Sequence, residues 1–180
     1  GGKSLQLSSM MKNKGTIVAT DIREYKLDDL KKRARRAGIS NIRTNYWNGN
    51  PPNPKKIHKF NGVLVDAPCS CSGTWRRNPD ARWTTNKNEV SELADIQLKL
   101  LRNASIAVKE SGTLVYATCS FFKKENEDVV EKFLSICSSE FKLEPFINPF
   151  KNTLSDGMLR IYPWDSDCDC VFIAKFRRRQ

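Results

Sequence analysis

The chain has 180 residues, 39% of them hydrophobic and 28% charged, a size and balance that suit one globular domain with a real core and exclude two large ones. Its apolar runs are only a few residues long, as at 63–65, far from the roughly 20 that a membrane-spanning helix needs, and its first residues have no basic start followed by an apolar segment of the secretory kind. Lysine and arginine number 31 against 20 acidic residues, a net charge of +11, which makes polyanions the natural partner. The basic clusters at 31–36 and 177–179 adjoin no apolar helix face of the membrane-surface type, so nucleic acid is expected rather than a membrane. A soluble, cytoplasmic monomer is the simplest expectation.

In chain order, Gly1-Gly2-Lys3-Ser4 opens a helical pattern, and short apolar runs then alternate with helical ones. Strands are predicted at 16–20, 42–46, 63–65, 113–117 and 171–176, and helices at 23–37, 89–109 and 124–138. Within 89–109, Val90, Leu93, Ala94, Leu100, Leu101, Ala104, Ala107 and Val108 recur at helical spacing as one apolar stripe, with Gly112 as the stop signal. Helices between short apolar strands imply right-handed crossovers and a mostly parallel sheet covered on both faces. Segments near 141–147 and 170–176 are joined by a long loop, which predicts an antiparallel edge. The fold class is therefore α/β, doubly wound.

Six cysteines in a chain with no export signal read as thiols rather than a disulfide framework. Cys-x-Cys occurs at 69/71 and 168/170, but the spacing is tighter than structural zinc prefers, and no metal is expected. His58, the only histidine, lies in a polar loop and reads as surface decoration.

Ligands of doubly wound sheets sit beyond the carboxyl ends of the strands. Those ends carry Asp21, then Asp66-Ala67-Pro68-Cys69, then Thr118-Cys119-Ser120. The glycine turn at Gly1-Gly2 before a helix, with Asp21 placed to accept hydrogen bonds from ribose hydroxyls, suggests an adenosine-containing ligand; Asp21 could equally cap the helix at 23–37. Either thiol could be a small apolar filler. Together with an acid they suit attack on a pyrimidine: sulfur adds at C6, a carboxyl group kept protonated by burial serves N3, and C5 becomes a carbon nucleophile. Lys3, Arg76 and Arg77 are the cations expected to lower a thiol pKa.

These residues resemble a family. The stretches Gly-Gly-Lys-Ser-Leu-Gln-Leu-Ser, Val-Ala-Thr-Asp-Ile, Val-Leu-Val-Asp-Ala-Pro-Cys-Ser-Cys-Ser-Gly-Thr, Arg-Arg-Asn-Pro-Asp-Ala-Arg-Trp, Tyr-Ala-Thr-Cys-Ser and Glu-Asn-Glu are similar to successive motifs of the Sun (Fmu) type RNA cytosine-5 methyltransferases across nearly the whole chain. The resemblance implies a Rossmann-like class I methyltransferase fold over 1–180, S-adenosyl-L-methionine as donor, and 5-methylcytosine in ribosomal or transfer RNA as product. It assigns Cys119 as nucleophile, Cys69 to product release, Asp66 to the base and the cofactor, and Lys3 to ordering the site. Gly1, Gly2, Lys3 and Asp21 would hold the cofactor.

The chain departs from the family pattern in four places. The family's Asp-x-Cys-Ala-Ala-Pro first strand and its RNA-binding extension lie outside this sequence, which reads as a fragment lacking both. Asn48 or Asn50 stands where the family often has an aspartate, and Asp169-Cys170-Val171-Phe172 replaces Asp-Gly-Phe-Phe. Arg76, Arg77, Arg82 and Trp83, with Trp75, mix cationic and stacking side chains after Cys69 and are expected to bind an unstacked RNA segment, unless the tryptophans pack beneath the loop. Two other functions fit less well: a DNA cytosine-5 methyltransferase, whose nucleophile would be Cys69, and a basic RNA-binding module that has lost catalysis.

Overall fold

The computed structural model describes residues 1–180, which fall into two compact units, Gly1–Asn50 and Pro51–Gln180. None of its helices is long and apolar enough to cross a membrane.

The first unit runs α1 (Gly2–Met10), β1 (Ile17–Asp21), α2 (Glu24–Arg36), β2 (Ile42–Tyr46). The strands pair in parallel, with Asp21 opposite Tyr46. α2 buries Leu27, Leu30 and Ala34, which lie three and seven residues apart and therefore share one face. Glu24 in its first turn and Arg33, Arg35 and Arg36 in its last complement the helix dipole, which is where most of the basic cluster at 31–36 ends up.

The second unit contains β3 (Phe60–Asp66), α3 (Ala81–Thr84), α4 (Lys87–Ser105), β4 (Val108–Thr118), α5 (Glu127–Cys137), β5 (Phe141–Leu143), β6 (Met158–Ile161), α6 (Pro163–Ser166) and β7 (Val171–Arg178). β3 and β4 are parallel, with Asp66 opposite Ala117, so their carboxyl ends lie side by side. β7 runs antiparallel to β4, with β5 beyond it and β6 also paired to β7. The last strands therefore make the expected antiparallel edge, with β7 inside and β5 outermost. β6 is an addition that four residues of mixed polarity did not signal.

The core lies where β4 and β7 meet α5. Leu114 and Tyr116 on β4 and Phe172, Ala174 and Phe176 on β7 are buried at the two-residue spacing of one strand face. Phe133 of α5 packs on Phe176 and Phe141 with ring centroids 5.1 and 5.6 Å apart. Each such side chain, fully buried, stabilises the fold by roughly 1.5–3 kcal/mol. α4 starts on Asn86, whose side chain accepts from the Glu89 amide at 2.8 Å, and buries Val90, Ala94, Leu101 and Ala104.

Three expectations need correcting here. The helix predicted to 109 stops at Ser105; Ala107 and Val108 are buried, but Val108 begins β4, so the apolar period continued across a change of element. Gly112 is no helix stop: it lies within β4 beside the register shift at Phe60/Gly62, where a Cβ would come 2.7 Å from the Lys109 carbonyl oxygen. β3 is not covered on both faces, since it buries Val65 but leaves Leu64 exposed.

Candidate active site

Parallel pairing of β3 and β4 delivers two loops side by side, and each begins with a thiol. The Sγ atoms of Cys69 and Cys119 lie 3.4 Å apart. A third sulfur, that of Cys71, joins them, and the three lie within 4.8 Å of one another. Cys168 and Cys170 stand outside this group, so the two Cys-x-Cys pairs do not build one centre.

The loops are held by a buried polar hub that sequence reasoning quoted as a motif but gave no task. Glu125 and Asn126 are completely buried at the start of α5. Oε1 of Glu125 accepts from the Ser70 amide at 2.8 Å and from Gln97 Nε2 at 3.0 Å. Its Oε2 accepts from the Ser70 hydroxyl at 2.6 Å and from the Ser120 hydroxyl. Gln97 also donates to the Pro68 carbonyl at 2.8 Å, and Asn126 donates to the Ser120 carbonyl at 2.8 Å while accepting from Thr118 at 2.5 Å. Both thiol loops thus bond to Glu125, with Gln97 adding a bond to the first and Asn126 two to the second, in a dry setting where such bonds are strong and costly to leave half-made. Arg160 of β6 donates through Nη2 to both carboxylate oxygens of Glu127, at 2.7 and 2.6 Å, and through Nη1 to the Phe121 carbonyl at 2.6 Å.

Gly73 explains the glycine in Cys-Ser-Gly-Thr. A Cβ there would sit 2.7 Å from the Cys119 carbonyl oxygen and 2.7 Å from two atoms of Cys170. The Gly73 amide donates to Cys119 O at 2.8 Å, and the Cys170 amide donates to Gly73 O at 3.0 Å. Three backbone segments meet there at a distance only glycine permits.

The sulfurs share their ionisation. The Cys69 thiol is pushed far up by hydrogen bonding with Cys119 and Cys71 and by burial. Cys71, the exposed member, is pulled down because Cys119 and Cys69 both bond to its sulfur. At Cys119 the bond from Cys69 lowers the pKa, but the bond with Cys71, burial and the charges of Cys71 and Asp66 outweigh it and push the thiol up to about 11. The expected cations do not bring the Cys119 thiol down: Arg76 bonds Asp167 at 2.7 Å, and Arg77, though it feels the Cys119 charge, holds Asp169 through Nε at 3.1 Å and a second, shorter bond.

Asp66 is a further correction. It is exposed, because alternation along the strand turns Val65 and Ala67 inward and residue 66 outward, so it is not the buried carboxyl group that the sequence led us to expect. The tryptophans divide between the two readings. Trp75 packs edge-on against Phe122, with centroids 6.1 Å apart, whereas Trp83 is 82% exposed with the Arg82 guanidinium 5.7 Å from its ring. A column that the sequence did not reveal runs outward from the Cys119 loop: Phe121 stacks on Tyr162 at 6.4 Å, and Tyr162 on Trp164 at 4.5 Å. Trp164 is 75% exposed.

In the first unit, α1 starts at Gly2 without a side-chain cap, so its first-turn amides point at whatever anion stands before them. A Cβ on Gly2 would meet nothing, while one on Gly1 would strike Leu30 at 2.7 Å. Lys3 is an exposed residue of α1. Asp21 is not the cap of α2, which is Arg23. Its Oδ1 accepts from the Arg23 amide at 2.9 Å and from Nε at 3.0 Å, and its Oδ2 from Nη2 at 3.1 Å, which holds the carboxyl group below its ordinary pKa. Asp21 is therefore an ionised acceptor. Asn48 is exposed, its Oδ1 accepting from the Asn50 amide at 3.1 Å.

The profile of the family described as 16S rRNA methyltransferase RsmB/F matches residues 1–177. The chain belongs to the RsmB/F family. Among its relatives, a Bacillus subtilis protein named "Probable ribosomal RNA small subunit methyltransferase B" is 34% identical over 99% of this chain and 41% of its own length. Ribosomal RNA small subunit methyltransferase F of Aliivibrio salmonicida is 32% identical over 99% and 38%. The structure of NSun6 from Pyrococcus horikoshii, solved with the S-adenosylmethionine analogue SFG, superposes with a TM-score of 0.81 at 26% identity, covering 100% of this chain and 46% of that one. The fold is thus the Rossmann-like one of class I methyltransferases, and the chain spans about two fifths of the length of the RsmB/F relatives it matches.

Proposed function

We propose that this RsmB/F chain is the catalytic core of an S-adenosylmethionine-dependent RNA cytosine-5 methyltransferase acting on small-subunit ribosomal RNA. The observation that carries this reading is the 3.4 Å approach of Cys69 and Cys119 at the ends of paired parallel strands. One thiol is enough to open a pyrimidine ring; two within bonding reach suit a reaction that must both make and break a sulfur–carbon bond. The intact hub beneath them argues against a module that has lost catalysis.

In this reading Cys119 gives its proton to Asp66 and attacks C6 of an unstacked cytosine, forming an S–C6 bond. Ring electrons move toward N3, to which Asp66 at the open end of β3 passes the proton taken from Cys119, and C5 becomes nucleophilic. S-adenosylmethionine supplies the methyl group as a sulfonium electrophile. After transfer, a solvent water takes the C5 proton, N3 returns its proton to Asp66, the S–C6 bond breaks, and Cys119 leaves as thiolate, with Cys69 placed to assist that release. The first-turn amides of α1 at Gly1, Gly2 and Lys3 suit the donor's carboxylate. Asp21 suits a ribose hydroxyl, with Arg23, an exposed side chain, yielding its place, and Asn48 suits the adenosine.

The test is methyl transfer from labelled donor to small-subunit ribosomal RNA, with bisulfite mapping of the product. Cys119→Ala is expected to abolish transfer, and Cys69→Ala to accumulate a covalent protein–RNA adduct. Full turnover by Cys119→Ala would place the nucleophile elsewhere.

A further inference from the structure

The methyl-transfer reading leaves Cys71 idle, yet its sulfur is built into the cluster. Cys71 adopts the left-handed conformation, φ 54° and ψ 22°, which a non-glycine residue takes only at some cost. In extended chain its Cβ would stand well away from that of residue 69; here the chain curls and Cys71 Sγ lies 3.4 Å from the Cys69 carbonyl oxygen. The outcome is three sulfurs, from two loops, within 4.8 Å of one another, the nearest pair at 3.4 Å. Thiolates bound to one zinc ion at about 2.3 Å stand about 3.8 Å apart in tetrahedral geometry, a spacing that these sulfurs reach with changes of separation of no more than about 1 Å.

We propose that Cys69, Cys71 and Cys119 form a three-thiolate site for a soft, thiophilic cation of the Zn²⁺ class, and that filling it silences the nucleophile. Three sulfur ligands select such ions over hard ones. Cys71 is exposed and opens an entry path, while the hub on Glu125 and Asn126 keeps the other two ligands in place when the site is empty. Binding displaces the protons still on the thiols and commits the Cys119 lone pair to the metal, so that it cannot add to C6. Silencing rests on the methyltransferase reading; metal binding does not.

The experiment is anaerobic titration of the reduced, metal-free protein with Cd²⁺, followed by sulfur-to-metal charge-transfer absorption in the ultraviolet, and with Zn²⁺ in competition with a chromophoric chelator. One equivalent is expected to saturate the signal. Cys71→Ser should weaken binding by more than the roughly 10–100-fold that an outer-shell partner contributes, while Cys137→Ser and Cys168→Ser bind as the parent does. The far-ultraviolet circular dichroism of each variant confirms its fold. In the methylation assay, the zinc midpoint of Cys71→Ser should rise at least tenfold relative to the parent. No charge-transfer band at one equivalent, equal binding by Cys71→Ser, or loss of the band in Cys168→Ser would each overturn the site. Tight binding through the three thiols in a protein without methyl transfer would uphold the site and remove only the functional reading.

Discussion

Ser70 and Ser120, each the residue that follows a thiol, donate to the same oxygen, Oε2 of Glu125. That shared acceptor fixes the spacing of the two loops more directly than any contact between the sulfurs. Glu125→Gln replaces an oxygen that accepts two hydroxyl protons with an amide group that donates. We expect a stability loss of about 1–3 kcal/mol, the usual cost of a buried bond left unmade. Methyl transfer should fall more than tenfold at temperatures where the variant is fully folded, with donor affinity unchanged. Unfolding in urea alongside turnover kinetics checks both; an unchanged rate would mean that the hub does not set the loop geometry.

Much of this site was legible because its signals are local. The proline of Asp-Ala-Pro-Cys and the threonine-cysteine pair mark strand ends by composition alone, and parallel pairing of neighbouring strands then brings Cys69 to Cys119. The exposed side of Asp66 was misjudged, although Val65 and Ala67 are the apolar alternates on either side of it. Glu125 was not legible: its partners Ser70 and Gln97 lie 55 and 28 residues away, and nothing in a Glu-Asn-Glu triplet distinguishes a buried hub from the solvated first turn of a helix. The overrun of α4 has the same root, because Ala107 and Val108 satisfy a helical period and a strand start equally well.

Gly73→Ala tests the close approach of three backbones. The new methyl would stand 2.7 Å from a carbonyl oxygen of Cys119 and from Cys170, atoms that cannot swing aside as a flexible side chain can. Overpacking of this kind typically costs 1–3 kcal/mol, about the loss expected here in the urea midpoint, together with a reactivity change at Cys119 measured by alkylation rate. A variant as stable as the parent would mean that the loops part without penalty.

Acid stability follows from the paired carboxylates. Glu144 is held below its ordinary pKa by Arg177 and Lys175, Asp169 by Arg77, Asp165 by Lys151 and Asp21 by Arg23. A depressed folded-state pKa contributes stability that is present above the unfolded value, 4.5 for Glu and 3.8 for Asp, and is lost as pH falls through the folded value. Unfolding free energy should therefore be level from neutral pH to about 5 and decline below about 4. Arg77→Ala, which leaves Asp169 only the Arg76 guanidinium at 3.5 Å, should make that decline shallower. A steeper acid limb in Arg77→Ala would contradict the pairing.

Trp83 and Trp164 test whether the exposed aromatics receive RNA. Both rings lie in solvent, Trp83 beside Arg82 and Trp164 on the outer face of Tyr162, so neither supports the core. Stacking of an unpaired base on an aromatic ring contributes roughly 1–3 kcal/mol, which converts to about 5- to 150-fold in affinity. Trp83→Ala and Trp164→Ala should each weaken binding of a single-stranded cytidine-rich oligonucleotide by at least about fivefold while shifting the urea midpoint by less than about 0.5 kcal/mol, and Trp→Phe at either position should restore most of the loss. Arg77→Ala provides the contrast, because its guanidinium holds Asp169: there, weaker RNA binding should come with faster proteolysis of the loop that carries α3. Fluorescence anisotropy at two salt concentrations separates the contributions, since the stacking loss persists at high salt and the charge loss does not. If both alanine variants bind as tightly as the parent, the RNA path lies elsewhere on the surface.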